Sequence, residues 1–123
     1  MPPRLVPSGV AVVVSDRVPA TRWYRQKLGL SVVDRKGHWV TVGDRRRGIR
    51  LHLCAARKFD PMARPERGTT GILFEVDGDV EKAYRSLERR GVRFSHPPKK
   101  MEGGWYCTFL DPDGHEFWPM PRE

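Results

Sequence analysis

The chain has 123 residues, with 23 Lys and Arg against 15 Asp and Glu, a formal net charge of +8 and a pI near 10.1. That length allows one domain with a genuine core. No apolar run is long enough for a transmembrane helix, and Met1-Pro2-Pro3-Arg4 lacks the apolar stretch of a signal peptide, so a cytoplasmic location is expected. The basic residues Arg35-Lys36, Arg45-Arg46-Arg47, Arg57-Lys58 and Lys99-Lys100 fall at expected turns and loops. With no basic helix, zinc-finger spacing or aromatic RNA-binding strand in view, the charge reads as a solvated surface. It can attract an anionic small molecule, and neither a nucleic-acid nor a membrane partner is expected.

Val10-Ala11-Val12-Val13-Val14-Ser15 is a β-branched run and predicts a strand. Asp16 follows, and Pro19 opens a helix near its first turn, where a missing N–H costs nothing. Ala20, Tyr24 and Leu28 share a packing face of that helix, Trp23 lies beside Tyr24, and Gly29 stops it. Leu30 to Val33 and Trp39 to Val42 predict strands around a turn at Arg35-Lys36-Gly37. Ile49-Arg50-Leu51-His52-Leu53 alternates strictly and predicts a fourth strand.

The stretch 55–70 holds Pro61, Pro65, Gly68 and many charges and predicts a linker. The order then recurs. Ile72 to Val76 is a strand, Asp77-Gly78-Asp79 a helix entry, and Val80 to Arg90 a helix with Val80, Ala83, Tyr84 and Leu87 on one face. Gly91 stops it, and Val92-Arg93-Phe94 is a strand. His96-Pro97-Pro98 and Gly103-Gly104 bound a loop, with His96, like His38, expected in solvent. Trp105 to Leu110 and Glu116 to Met120 are the closing strands, joined by the turn Asp111-Pro112-Asp113-Gly114. His115 is expected to make local hydrogen bonds at that turn. Cys54 and Cys107 lack metal-type spacing and read as reduced, mostly buried thiols.

The two halves match. Val14-Ser15-Asp16, a helix with Tyr24, and Leu28-Gly29-Leu30 answer Val76-Asp77-Gly78, a helix with Tyr84, and Arg90-Gly91-Val92. Each half reads as βαβββ, with one sheet face covered by its helix and the other left to line something. The expected organisation is α+β, a single domain over 1–123. Module one covers about 8–54, a linker 55–70, and module two 71–120.

With these motifs the chain resembles the vicinal oxygen chelate superfamily of glyoxalases, bleomycin-resistance proteins and extradiol dioxygenases. The resemblance runs from about Gly9 to Met120 and rests on the order of the motifs, closing with Asp111-Pro112-Asp113-Gly114 and Glu116-Phe117. It implies paired modules in a curved, partly barrel-like mixed sheet with helices on the convex face, a cavity on the concave face, and a homodimer. It also implies four metal-ligand positions, which here hold Gly9, His52, Gly71 and Trp118. Glycine has no donor atom and indole N–H only donates, so three of the four cannot coordinate. No metal and no cofactor are expected.

The resulting expectation is a small-molecule-binding protein that sequesters an aromatic or antibiotic-like ligand, similar in plan to the bleomycin-resistance branch. Trp118 would stack on the ligand and Arg50 with His52 would fix its polar groups, with Trp39 and Trp105 as further aromatic candidates. Enzymatic activity stays open. The alternative is a metal-dependent or metal-free lyase, dioxygenase or isomerase-type enzyme that uses His52 with Glu75 or Glu116.

Overall fold

The structure, a computed structural model, describes residues 3–37, 39–56, 67–102 and 104–122. The chain divides into two compact units, Met1–Pro65 and Glu66–Glu123. Unit one runs β1 (Gly9–Val14), α1 (Arg17–Leu28), β2 (Ser31–Lys36), β3 (Trp39–Gly43) and β4 (Arg50–Ala55). Unit two runs β5 (Gly68–Val76), α2 (Val80–Arg89), β6 (Arg93–Met101), β7 (Gly104–Leu110) and β8 (His115–Pro121). The sheet orders are β1-β4-β3-β2 and β5-β8-β7-β6. In each, the first and last strands pair in parallel and the remaining pairs are antiparallel. Each unit is therefore the expected βαβββ module, α+β in class, and each four-stranded sheet is open, not closed into a barrel.

Helix α1 forms because Asp16, in extended conformation, accepts the N–H of Val18, and Gly29 ends it at φ 72. It starts at Arg17, with Pro19 still inside the first turn, where backbone N–H groups lack intrahelical partners. The face read from the sequence is the packed one: Ala20 and Tyr24 are buried and Leu28 is half-buried. They pack on a sheet whose inward residues Val12, Val14, Val40, Val42, Leu51 and Leu53 are buried. Contrary to expectation, this helix is basic. It carries Arg17, Arg22, Arg25 and Lys27 and no acid, because the charges are interleaved with the apolar face and form no run.

In unit two, Asp79 caps α2 by accepting the N–H of Lys82, and Val80 is buried at its start. The core beneath is aromatic. Phe74 meets Phe117 edge to face at 5.3 Å, Phe109 lies 5.6 Å from Phe117 with the rings tilted by 34°, and Tyr84 of α2 sits at 4.6 Å from Phe94.

Two boundaries differ from the sequence reading. The loop expected at His96-Pro97-Pro98 is strand, because β6 is an edge strand that pairs with β7 alone. An edge strand tolerates a missing N–H, and the register shifts at Phe94/His96 and His96/Lys99 absorb the prolines. His96 accordingly lies half-buried in a strand, while His38 lies outside the described residues. The predicted linker is shorter at both ends, since Ala55 closes β4 and Gly68 to Thr70 open β5; residues 57–66 lie outside the described residues.

Candidate functional site

Strand alternation in unit one buries Leu51 and Leu53 on the α1 side and turns Arg50, His52 and Cys54 to the opposite face. The antiparallel register puts Thr41 directly across from His52, and Thr41 Oγ1 lies 2.8 Å from His52 Nδ1. The hydroxyl donates where that nitrogen is unprotonated and accepts where it carries the proton. Trp39 lies beside the same imidazole, ring centroids 5.2 Å apart and tilted by 36°. On the other side the parallel partner is Gly9. A Cβ there would stand 2.7 Å from His52 Nε2 and 2.7 Å from the Arg50 carbonyl oxygen. His52 thus occupies the space that the glycine leaves. Arg50 donates to the backbone carbonyl of Asp44, not to a carboxylate.

On the face of unit two opposite α2, Trp118 of β8 is 39 % exposed and Leu73 of β5, its register partner, 53 % exposed. Their neighbours Phe117 and Ile72 point the other way and are buried. Two large apolar side chains thus lie side by side in solvent on one sheet face. Glu116 shares this face. It accepts from Ser95 Oγ at 3.0 Å, and Ser95 accepts from Thr108 Oγ1 at 2.6 Å. Glu75 is exposed, two positions along β5 from Leu73. Trp105 has the parity of buried Cys107 and Phe109, so it lies on the helix-side face of β7, away from Trp118.

The geometry therefore groups Arg50, His52 and Trp39 in one unit, and Trp118 with Glu116 and Glu75 in the other. It sets Trp105 apart. Within its own unit His52 is held by a hydroxyl and an indole. Thr41, Ser95 and Thr108 were missed from sequence, because their roles follow from cross-strand register, which a single strand does not reveal. The positions that the resemblance assigns to a metal do not fit one. Gly9 and Gly71 offer no donor, Trp118 none that accepts a cation, and Gly9 is closed over by His52.

Among the described residues, the one cluster of three potential ligand groups is Asp111, Asp113 and His115, their donor atoms within 4.8 Å of one another. It is the turn itself. Asp111 Oδ1 accepts the backbone N–H groups of Asp113 at 3.0 Å and His115 at 2.9 Å, and Oδ2 lies 2.7 Å from His115 Nδ1. Burial works to lower the His115 pKa, but the bond to Asp111 and the charges of Asp111 and Asp113 outweigh it and raise it. Its role is the local bonding expected of it. The Cys107 thiol is pushed up to about 11 by burial, which makes it inert as a nucleophile.

The family profile described as "Glyoxalase/Bleomycin resistance protein/Dioxygenase superfamily" matches residues 8–118. No curated protein matches the chain. Among solved structures, a member of the glyoxalase/bleomycin resistance protein/dioxygenase superfamily from Sphaerobacter thermophilus DSM 20745 is 28 % identical, with TM-score 0.79, covering 96 % of this chain and 98 % of that one. TnmS3, an antibiotic binding protein from Streptomyces sp. CB03234, is 27 % identical, with TM-score 0.78, over 97 % of this chain and 98 % of that one. A glyoxalase/bleomycin resistance protein from Streptomyces sp. CB03234 is 25 % identical, with TM-score 0.71, over 93 % and 98 %.

Proposed function

The chain belongs to the glyoxalase/bleomycin resistance protein/dioxygenase superfamily, and from that membership we propose that it binds and sequesters a planar aromatic small molecule without a metal. The observation that carries this reading is the exposed pair Trp118 and Leu73 on the sheet face opposite α2. A ring laid against an indole and a leucine is stabilised at roughly 25 cal/mol per Å² of apolar area removed from water. Offset stacking adds to this. Glu116, held by Ser95, supplies a fixed acceptor on the same face.

In unit one, Arg50, His52 and Trp39 form a second surface suited to polar and aromatic groups, with the imidazole orientation set by Thr41. The likeness to an antibiotic binding protein supports antibiotic-like ligands as the first class to try. The reading includes a homodimer, as the superfamily implies, and a reducing, cytoplasmic setting, which suits two cysteines that are not in disulfides.

Titrating the protein with planar aromatic antibiotics while following tryptophan emission tests it. Saturable quenching is expected for at least one compound, weakened about tenfold or more in Trp118→Ala. A wild-type protein that no compound quenches, or a variant that binds as well as wild type, rejects the reading. Light scattering across the same samples reports whether two copies associate.

A further inference from the structure

A cleft of about 500 Å³ runs along one side of α1 against the hairpin of β2 and β3. Arg17, Arg22 and Arg25 line it from the helix, Arg35 and Lys36 from the hairpin, and no acidic residue lines it. Arg17 donates to the Gly37 carbonyl at 2.8 Å, which ties the helix start to the hairpin turn and fixes one guanidinium at the edge. Thr21 lines the same cleft. It is only 6 % exposed, and among the described residues its Oγ1 is the buried side-chain polar atom with no hydrogen-bond partner.

The clustered charge is unfavourable as it stands. Five like charges around one concavity repel, and α1 holds no acid to offset them at the next turn. Arg17 also sits at the positive end of the helix dipole. A multiply charged anion relieves the repulsion, because guanidinium forks match phosphate oxygens bidentately.

We infer that this cleft binds a small polyphosphate-bearing molecule through the three helix arginines, Arg35 and Lys36. A concavity of this size suits a small ligand, whereas nucleic acid calls for an extended basic stripe. The assignment needs neither Trp118 nor Leu73, so it stands or falls separately from the aromatic-ligand reading.

Calorimetry of the full chain with tripolyphosphate and with ATP, at physiological salt, tests it. Saturable binding is expected, weakening as salt rises and falling about tenfold or more in Arg22→Gln/Arg25→Gln, whose side chains lie on the helix surface. Arg35→Gln/Lys36→Gln gives the same result from the hairpin if the helix variant misfolds. Trp118→Ala leaves tripolyphosphate binding unchanged. No saturable heat from either probe, affinity unchanged in the arginine variants, or binding of single-stranded RNA without binding of tripolyphosphate overturns the inference.

Discussion

Gly9 and His52 show how one residue's absence of a side chain shapes a site. The ring of His52 lies where a β-carbon at position 9 would go, and the Arg50 carbonyl closes the other side. The imidazole can swing, but the carbonyl belongs to the paired strand β4 and cannot move without shifting the ladder. Gly9→Ala is therefore expected to destabilise the protein by about 1–3 kcal/mol, as overpacking does. It should also displace His52 from Thr41. Urea denaturation measures the first effect and the His52 imidazole NMR signals the second. A stability within error of wild type would show that the strand yields freely. For the same reason a bulky ligand residue at position 9 is incompatible with His52 in its present rotamer.

The turn from Asp111 to His115 is an element held by one carboxylate. Asp111 takes two backbone N–H groups and an imidazole, Gly114 at φ 88 closes the bend, and its N–H returns to the Asp111 carbonyl at 3.0 Å. Because the folded-state pKa of His115 is raised, the charged pair contributes fully below the ordinary histidine value of about 6.5. The contribution is lost as pH rises through the native value. Wild type should thus exceed His115→Gln in stability by most below about pH 6.5 and by progressively less as the pH rises through the raised native value, with the charge-assisted bond contributing about 1.5–3 kcal/mol. Thermal melts of both proteins across that range check the sign, and a gap that widens with pH contradicts it. The neighbouring strand β6 makes a different point. Its prolines were read as loop because sequence does not say which strand will lie at an edge, and at an edge they are tolerated.

At the scale of the whole molecule, the charge of +8 acts against compactness. Raising NaCl from about 20 mM to about 200 mM should increase the melting temperature by about 2–4 °C through screening of that repulsion. A fall would mean that favourable ion pairs outweigh it. The duplicated architecture was legible because each module repeats the same local instructions. A β-branched strand, an aspartate cap (Asp16 and Asp79) and a glycine stop (Gly29 and Gly91) recur in order, and all of these act within a few residues of chain.

Part of the candidate site was legible in the same way. Alternation alone puts Arg50 and His52 opposite Leu51 and Leu53, and Glu116 on the face of Trp118. What alternation leaves open is which residue of another strand stands alongside. Thr41 beside His52, Leu73 beside Trp118, Ser95 beneath Glu116 and the basic cleft between α1 and its hairpin each join residues far apart in the chain. Local propensity and periodicity, set by near neighbours, were sufficient for the elements and their inward faces. Partnership across strands depends on register and packing, which exist only once the sheet has formed.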